Sequence, residues 1–310
     1  MFVVCGEALF DVFAAGATPT GLALDARIGG SPFNVALGLA RMGQPVSFFG
    51  GVSRGFLGER LMQALADEGI GAGLVQRLDA PTTLSLVGLG ADAVPSYSFY
   101  GEGAADRMLP MAAADAVPAS TRALHVGSYA MVVEPVAAVQ RALVERLHGQ
   151  ALVAYDPNVR TNVEPALARW REAIAWMAPR TDVLKVSDED LGLLYPGVPH
   201  AELAATWQAA GVAAVVVTRG AEGARAYLDG GELAVAPVPV SVVDTVGAGD
   251  TFQAALLTAL AERDALAPGA LRALPHAAWA EVLGFAARAA AITCSRRGAD
   301  LPRRAELDPS

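Results

Sequence analysis

The sequence predicts an α/β fold: a doubly wound, mostly parallel sheet flanked by helices, with a small β-sheet lid that protrudes from it. Two observations predict the main sheet. Short apolar runs typical of buried parallel strands alternate with segments whose apolar residues recur at helical spacing, and glycine-rich or polar turns follow several of these runs. A third observation, a hairpin of alternating polar and apolar residues, predicts the lid.

The first strand and helix are expected to bring two polar side chains together. Phe2–Cys5 is predicted to be a buried strand, and Asp11 follows on the next extended segment. The glycine pair Gly29-Gly30 leads into a helix with Asn34 in its first turn. Open α/β sheets bind ligands at the carboxyl ends of their strands, and an Asp with an Asn supplies the acceptors and donors that a polyol needs. A solvated Asp in a loop is the alternative for Asp11.

The lid is predicted from two separate stretches, assigned to about 9–28 and 74–107. Within the second stretch, runs at 82–89 and 96–100 alternate in polarity around a turn at 90–95. A small two-faced sheet buries little by itself, so it either folds over a ligand or pairs with another subunit. The intervening strand at 46–49 and the helix from about 56 to 68 are expected to be scaffold.

Later strands end in polar residues. They are predicted at 124–127, 152–155, 182–186 and 214–218, with helices at 134–147 and 277–293. The second leads into Asp156-Pro157-Asn158-Val159-Arg160, where Arg160 is either suited to a bidentate phosphate contact or a surface charge. The third leads into a helix capped by Ser187 or Asp188. The fourth leads into a turn, Arg219–Gly223, and another strand at 224–228.

The central stretch is Asp244-Thr245-Val246-Gly247-Ala248-Gly249-Asp250-Thr251-Phe252, which enters a helix. Its glycines let the backbone approach a ligand, and the first N–H groups of the helix suit a phosphate. Asp250 in the same turn can take a proton from a hydroxyl; the alternative is that it only caps the helix. Phe252 stands where a dinucleotide fingerprint needs glycine, and no Walker Lys-Ser/Thr pair follows.

Composition excludes several classes of protein. The 310 residues, 53% of them hydrophobic, can bury a large core, and their number alone allows two domains or one large α/β unit. Because no internal repeat or linker appears, we expect a single domain over 1–310. A net charge of −9 argues against nucleic acid or an anionic membrane as partner. The helix at 277–293 carries Glu281 and Arg288 and is predicted to pack rather than span a membrane. The two cysteines are far apart and lack disulfide or metal-site spacing, and no signal-peptide pattern is present, which favours a cytoplasmic protein. The histidines show no metal-ligand spacing.

Two of these motifs resemble the signatures of one family. The central stretch is similar to the C-terminal signature of the ribokinase-like (PfkB) carbohydrate kinases, and Gly29-Gly30-Ser31-Pro32-Phe33-Asn34-Val35-Ala36 resembles their N-terminal one. The two occur in the expected order, and the resemblance extends over nearly the whole chain. It implies an ATP-dependent kinase of the ribokinase-like fold.

The resemblance also implies residue roles. Asp250 would be the base, with the amides of Gly247, Ala248 and Gly249 as an anion hole. The residues expected to bind the substrate are Asp11, Gly29, Gly30, Asn34, Tyr100, Arg107, Asn158 and Arg160. Those expected to bind ATP are Lys185, Ser187, Thr218, Gly220, Gly223 and Gly249. Asp190 would hold Mg²⁺ through water, and a monovalent cation such as K⁺ would be bound, mostly by backbone, at Asp244, Val246, Thr293, Arg296 and Gly298.

The chain departs from the family pattern at two places. Related kinases have Asn-x-x-Glu where this chain has Ser187 and Asp190. Members that act on 2-keto-3-deoxygluconate commonly carry an arginine after the aromatic pair, where this chain has Gly101; this favours a neutral sugar, although Arg107 could replace the arginine. Phe99 and Tyr100 either contact the sugar or pack the lid.

The expected reaction is transfer of the γ-phosphoryl group of ATP to a hydroxyl of a ketose, with fructose as the first candidate. The alternatives are a 2-keto-3-deoxygluconate kinase or nucleoside kinase on the same fold, or a sugar-sensing protein without catalysis. The expected assembly is a homodimer formed through the lid.

Overall fold

The computed structural model describes residues 1–89, 95–267 and 269–308. Most of the predicted hairpin turn, residues 90–94, lies outside them. The strands are β1 Phe2–Cys5, β2 Leu9–Thr18, β3 Gly21–Gly29, β4 Val46–Phe49, β5 Gly51–Ser53, β6 Gln76–Leu78, β7 Leu84–Leu89, β8 Pro95–Tyr100, β9 Ala123–Gly127, β10 Leu152–Asp156, β11 Val183–Ser187, β12 Ala214–Thr218, β13 Ala224–Leu228 and β14 Gly231–Val235. The helices are α1 Ser31–Arg41, α2 Phe56–Asp67, α3 Val136–Leu147, α4 Leu167–Met177, α5 Asp188–Leu194, α6 His200–Ala210, α7 Ala248–Ala261, α8 Ala270–Ala273 and α9 His276–Cys294.

The main sheet has eight strands in the order β14-β13-β12-β11-β10-β9-β1-β4. The six strands from β12 to β4 are parallel, whereas β13 and β14 form an antiparallel edge. This confirms the predicted doubly wound sheet. It also places the carboxyl ends of β1, β9, β10, β11 and β12 along one edge, where a ligand site is expected.

Helices cover both faces of this sheet. Alternate residues of a strand point to opposite faces, so Val4 of β1 belongs to one apolar cluster and Val3 to the other. The first cluster includes residues of α1, α2, α7 and α9. The second includes residues of α3, α4, α5 and α6. The parallel strands are apolar along their whole length because both of their faces are buried.

The lid is a separate four-stranded sheet in the order β3-β2-β7-β8. It uses residues 9–29, close to the predicted 9–28, and residues 84–100, a shorter segment than the predicted 74–107. The second segment is shorter at its start because β6 pairs with β5 instead. Cross-strand partners lie on the same face of a sheet. Asp11, Ser85 and Phe99 are partners and define the inner face of the lid.

The opposite, outer face of the lid holds Phe10, Leu84 and Tyr100, which are also cross-strand partners. Phe10 belongs to the first apolar cluster and Leu84 packs against that cluster, whereas Tyr100 is exposed. By alternation along β3 from Ile28, the partner of Phe10, Leu22 and Leu24 lie on the outer face as well. The lid therefore has a polar side chain on its inner face, at Asp11, and an apolar outer face.

Helix α9 alone, within the described residues, has the length and apolar composition of a membrane span. It packs on α7 and buries Trp279, Leu283 and Ala286 in the first apolar cluster. This is the arrangement of the core helix that the sequence predicts.

Helices α1 and α7 cross at an unusually close point. A Cβ atom added to Gly38 of α1 would lie 2.6 Å from Cβ of Ala254 in α7 and 2.7 Å from Cδ2 of Leu301. Such distances are shorter than carbon atoms tolerate. The absence of a side chain at Gly38 therefore sets the spacing of the two helices whose first turns meet in the candidate site.

We predict that Gly38→Ala lowers the free energy of unfolding by about 1 to 3 kcal/mol, because the added methyl group overpacks this crossing. Gly192→Ala is the matched control, since Gly192 is exposed in α5 and no described atom lies within 4 Å of the position that its Cβ atom would take. The control should be neutral or slightly stabilising. Urea denaturation of both variants gives the comparison, and equal stability of Gly38→Ala and the parent would contradict the prediction.

Candidate active site

Asp250 lies in the first turn of α7, where two side chains from α1 hold its carboxylate. Ser31 Oγ donates to Asp250 Oδ1 at 2.6 Å, and Asn34 Nδ2 donates to Asp250 Oδ2 at 2.8 Å. All three residues are buried. The two predicted motifs therefore meet at one carboxylate, at the mouth of a helix whose N-terminus favours negative charge.

Burial raises the pKa of Asp250 above its ordinary value, because a charged carboxylate loses its hydration. The hydrogen bonds from Ser31 and Asn34 oppose this shift, and so does the positive charge of Lys185. The negative charge of Asp156 adds to it. A carboxylate tuned in this way is suited to accept a proton from a hydroxyl.

The turn before α7 has the conformation that the glycines predict. Gly247 is the N-cap with φ of +78°, and a Cβ atom there would lie 2.7 Å from Cβ of Ala299. Only glycine fits both constraints. Of the amides predicted to form the anion hole, that of Ala248 donates to the Thr245 carbonyl at 3.2 Å, so a phosphoryl group would compete with this contact.

The pair Gly29-Gly30 brings the end of the lid close to the end of β1. A Cβ atom on Gly29 would overlap the carboxylate of Asp11, and one on Gly30 would lie 2.6 Å from the Glu7 carbonyl oxygen. Gly30 also has φ of +106°. In this structure the two glycines thus bring Asp11 against the start of α1. Burial raises the pKa of Asp11, which lies in the field of Asp250 and Arg160.

The segment after β10 turns sharply into the site. Asn158 has φ of +40°, and its Nδ2 is buried without a hydrogen-bond partner among the described residues. Arg160 Nη1 donates to the Val159 carbonyl at 3.0 Å. Burial raises the pKa values of Asp11 and Asp190, and the positive charge of Arg160 opposes this rise. Its guanidinium therefore lies near these carboxylates rather than on a remote surface.

Lys185 and Asp156 form a buried ion pair beneath the turn of α7. Lys185 Nζ donates to Asp156 Oδ2 at 2.7 Å, and the side chains are only 5% and 3% exposed. The Asp156 Oδ1 atom has no partner among the described residues. Lys185 Nζ also lies 3.1 Å from the Cβ position of Gly249. A cation is therefore held directly against the predicted anion hole.

Ser187 caps α5. Its Oγ accepts from the backbone N–H of Asp190 at 3.0 Å, which leaves the hydroxyl hydrogen able to donate to a ligand. Asp190 Oδ1 accepts from the Val159 N–H at 3.2 Å. Burial, with the negative charge of Asp156, raises the pKa of Asp190 to about 6. The carboxylate faces the same edge of the sheet as Asp156.

The predicted nucleotide-facing turn joins β12 to β13. Thr218 ends β12 beside Ser187 of β11. Gly220 and Gly223 have φ of +49° and +84°, and the Arg219 N–H donates to the Gly223 carbonyl at 2.8 Å. These positive values account for the two glycines. The turn lies next to α5 along the carboxyl edge of the sheet.

The residues predicted to bind a monovalent cation come from two segments that the structure brings together. The Asp244 carboxylate accepts from the N–H groups of Val246 at 3.1 Å and Gly298 at 2.8 Å. The hydroxyl of Thr293 contacts that of Thr251 in α7 at 2.8 Å. The Arg296 side chain pairs with Asp300 and Glu306, so only its backbone is available for a cation.

In residues 1–89, 95–267 and 269–308, no group of three or more His, Cys, Asp or Glu side chains is placed to hold a metal ion. A cation at Asp244 would therefore depend on backbone carbonyls, and one at Asp190 on water and phosphate oxygens.

The base of the lid contains a second buried polar group. Asp106 accepts from Thr83 Oγ1 at 2.6 Å and from the Tyr129 hydroxyl at 2.8 Å. The Arg107 guanidinium lies over the Tyr129 ring at 5.1 Å, and a Cβ atom on Gly101 would overlap it. Arg107 thus fills the space that a side chain at position 101 would occupy.

Tyr100 does not join this group. It is 63% exposed on the outer face of the lid, whereas Phe99 packs edge-on against Tyr129 from the inner face. In this position the Tyr100 side chain does not face the candidate site of its own chain, which disagrees with the predicted sugar contact. The reason is strand alternation: only one of two successive aromatic residues can face the site, and the sequence did not reveal which.

Four site residues were not predicted: Ser31, Glu7, Asp106 and Asp156. Ser31 precedes Asn34 by three positions, a spacing that puts both on one helix face. Glu7 follows β1 and is fully buried, and burial raises its pKa to about 8. The rule that polar residues after a buried strand enter the site, applied to Asp11, would have selected Glu7 as well. Nothing in the sequence signals the burial of Asp106.

A family model described as pfkB family carbohydrate kinase matches residues 2–305. The chain belongs to the PfkB family of carbohydrate kinases. It is therefore a phosphotransferase that uses an alcohol group as acceptor. The two motifs that meet at Asp250 lie within the matched range.

Relatives with assigned names support the same family. The PfkB chain is 35% identical over 260 residues to a fructokinase of Rhizobium leguminosarum bv. trifolii, covering 84% of this chain and 79% of the relative. It is 32% identical over 286 residues to probable fructokinase-4 of Arabidopsis thaliana, covering 90% and 86%. These values describe similarity over nearly the full length of each protein.

Solved structures confirm the ribokinase-like fold. A fructokinase from Xylella fastidiosa with bound ATP superposes with a TM-score of 0.89 at 27% identity, covering 99% of this chain and 96% of that one. A fructokinase from Vibrio cholerae O395 bound to fructose, ADP and a calcium ion gives 0.82 at 26% identity, covering 99% and 97%. Both agree with the eight-stranded sheet and the additional small sheet.

We predict that Lys185→Met destabilises the ligand-free protein by about 3 to 5 kcal/mol, because it leaves the Asp156 charge buried without a partner. Adding Asp156→Asn should recover much of this loss. The exposed pair Arg54–Asp79 is the control, and Arg54→Met should cost about 1 kcal/mol or less. Chemical denaturation measures all three; a double variant no more stable than Lys185→Met would contradict a charge-burial cost.

Proposed function

We propose that this PfkB kinase is a fructokinase, which transfers the γ-phosphoryl group of ATP to a hydroxyl of fructose. One observation carries the proposal: the Asp250 carboxylate is held by Ser31 and Asn34 at the N-terminus of α7. This puts a base and an anion-binding helix end in one place, which is what phosphoryl transfer to an alcohol requires. The named relatives, which are fructokinases, support fructose as the acceptor.

In the proposed mechanism Asp250 takes the proton of the attacking hydroxyl as that oxygen bonds to the γ-phosphorus. The bond between the γ-phosphorus and the bridging oxygen of ATP breaks in the same step, and ADP leaves. The amides at the start of α7 and the Lys185 ammonium stabilise the charge on the transferring phosphoryl group. Asp11 and Asn158, which face the same edge of the sheet, fix the sugar hydroxyls, and Arg160 contacts phosphate or sugar. Positioning and electrostatics supply most of the rate enhancement in such reactions.

The surroundings of Arg107 favour a neutral sugar over a sugar acid. Its guanidinium stacks on Tyr129, and its Nε lies 4.0 Å from the buried Asp106 carboxylate. The positive charge is therefore partly matched inside the protein, which leaves less of it for a substrate carboxylate. This argument agrees with the absence of an arginine at position 101.

The nucleotide and two ions complete the proposal. ATP would lie along Lys185, Thr218, Gly220 and Gly223, at the carboxyl edge of the sheet. Mg²⁺ bound to the phosphates would neutralise their charge, with Asp190 holding its water ligands; a carboxyl with a pKa of about 6 is mostly ionised at neutral pH and can accept hydrogen bonds from such waters. K⁺ beside Asp244 would add positive field next to the turn of α7.

We further propose a homodimer formed through the outer faces of two lids. Leu22, Leu24 and Tyr100 on this face are 57%, 53% and 63% exposed. Large apolar side chains grouped on one sheet face are typical of an interface.

A cytoplasmic location fits the two free cysteines, Cys5 and Cys294.

Asp250→Asn should reduce kcat with fructose and ATP by roughly 10² to 10⁴, the usual effect of losing a general base, while calorimetry still detects binding of both ligands. A coupled assay of ADP release across fructose, 2-keto-3-deoxygluconate and nucleosides selects the acceptor. The same assay without Mg²⁺, or with Li⁺ replacing K⁺, tests both ions.

Preference of the parent protein for the sugar acid or a nucleoside would refute fructose as substrate. Tight fructose binding with no ADP release would favour a sugar-sensing protein. Near-normal turnover of Asp250→Asn would remove Asp250 from the proton transfer.

For the dimer, Leu22→Lys with Leu24→Lys should shift the protein to a monomer in sedimentation experiments, because two buried charges would lack partners. Phe56→Lys is the control, since Phe56 is 78% exposed in α2 and outside the lid. A parent protein that sediments as a monomer at micromolar concentration would refute the proposal.

A further inference from the structure

We propose that Ser31 is a positioning residue for Asp250: its hydroxyl fixes the Oδ1 atom of the carboxylate and keeps the carboxylate in its ionised form. The inference rests on the proposed kinase function and concerns a residue for which the family motif, a glycine pair followed by an asparagine, prescribes no role.

The Asp250 carboxylate is fixed by one hydrogen bond to each of its two oxygens. Ser31 Oγ lies 2.6 Å from Oδ1 and Asn34 Nδ2 lies 2.8 Å from Oδ2, so each carboxylate oxygen receives one donor from α1. A carboxylate gripped at both oxygens cannot rotate about its Cβ–Cγ bond without breaking a contact. Each oxygen accepts two hydrogen bonds. One position on each therefore stays open for an incoming hydroxyl.

The charges around Asp250 do not replace this hold. Asp11 from β2 and Asp156 from β10 carry negative charge toward it, whereas Lys185 from β11 carries positive charge. The ammonium of Lys185 donates to Asp156, at 2.7 Å, rather than to Asp250. The groups that donate directly to the buried Asp250 side chain are thus the two neutral ones from α1.

The two donors differ in what happens once Asp250 has taken the proton. An amide NH₂ group only donates, whereas a hydroxyl donates and accepts. Ser31 can therefore donate to the carboxylate and then turn to accept from the carboxylic acid. Its contact with Asp250 is available in both protonation states, so the side chain stays in place through the proton transfer. The hydrogen bond to the charged carboxylate is the stronger of the two, so the contact still favours the ionised form.

The test is the pH dependence of kcat for Ser31→Ala with fructose and ATP. Loss of a hydrogen bond to the charged form raises the pKa of the base, so the acidic limb should move up by about one pH unit. At a pH below the limb, kcat should fall about tenfold, while the high-pH plateau and the KM for fructose stay near the parent values. Ser31→Thr should restore the parent profile.

Ser47→Ala is the matched control. Ser47 is as buried as Ser31, and its hydroxyl contacts only the Met1 sulfur in the described structure. This variant should show the parent pH profile. Ser31→Cys, whose thiol is a weaker donor, provides a second substitution of similar size and should give a smaller shift in the same direction.

A readout without turnover separates this inference from the proposed function. Carboxyl carbon NMR, with the Asp250 signal assigned from Asp250→Asn, should titrate about one pH unit higher in Ser31→Ala than in the parent. An unchanged NMR titration, or a loss of kcat that is equal at every pH, would overturn the role of Ser31. A parent protein that phosphorylates no acceptor would instead overturn the proposed function and leave the NMR result to decide on Ser31.

Discussion

The structure depends on one contact: the meeting of the first turns of α1 and α7 at the carboxylate of Asp250. Ser31 and Asn34 reach this side chain because the two helices lie on the same face of the sheet and cross closely at Gly38 and Ala254. The apolar cluster beneath them, which also includes α9, holds the helices at this spacing. Hydrogen bonds of 2.6 and 2.8 Å tolerate little change in that spacing, so the packing of the core determines the geometry of the candidate base.

Electrostatics at the carboxyl edge of the sheet are dominated by acidic groups. Asp11, Asp190 and Asp250 all have pKa values raised by burial, and within the described part of the chain Asp156 pairs with Lys185 alone. An anionic nucleotide can bind beside so many carboxylates only where backbone N–H groups and cations face it. The start of α7, Lys185 and Arg160 meet this requirement, so we expect the phosphates to bind at this turn.

Local patterns predicted the elements of the fold, because each pattern depends on a few neighbouring residues. The buried strands β1, β10 and β12 and the glycine turn before α7 were all evident in this way. The contact of Ser31 with Asp250 was not, since it joins residues far apart in the chain and arises only when two helices cross. The face occupied by Tyr100 depends on the register of β8 with β7, and hairpin register follows from turn geometry rather than from composition. The burial of Asp106 likewise follows from tertiary packing alone.

Strand β3 of the lid ends at Gly29 and α1 begins at Ser31, so a single residue, Gly30, separates the lid from the two donors of Asp250. Gly30 lies close against the Glu7 backbone, so the connection between β3 and α1 has little room to move. The position of the lid and the position of the Asp250 carboxylate are therefore linked through Gly30. A change in the angle at which β3 enters α1 would also move the side chains that donate to Asp250. We therefore expect lid sequences in this family to vary only in ways that preserve this angle.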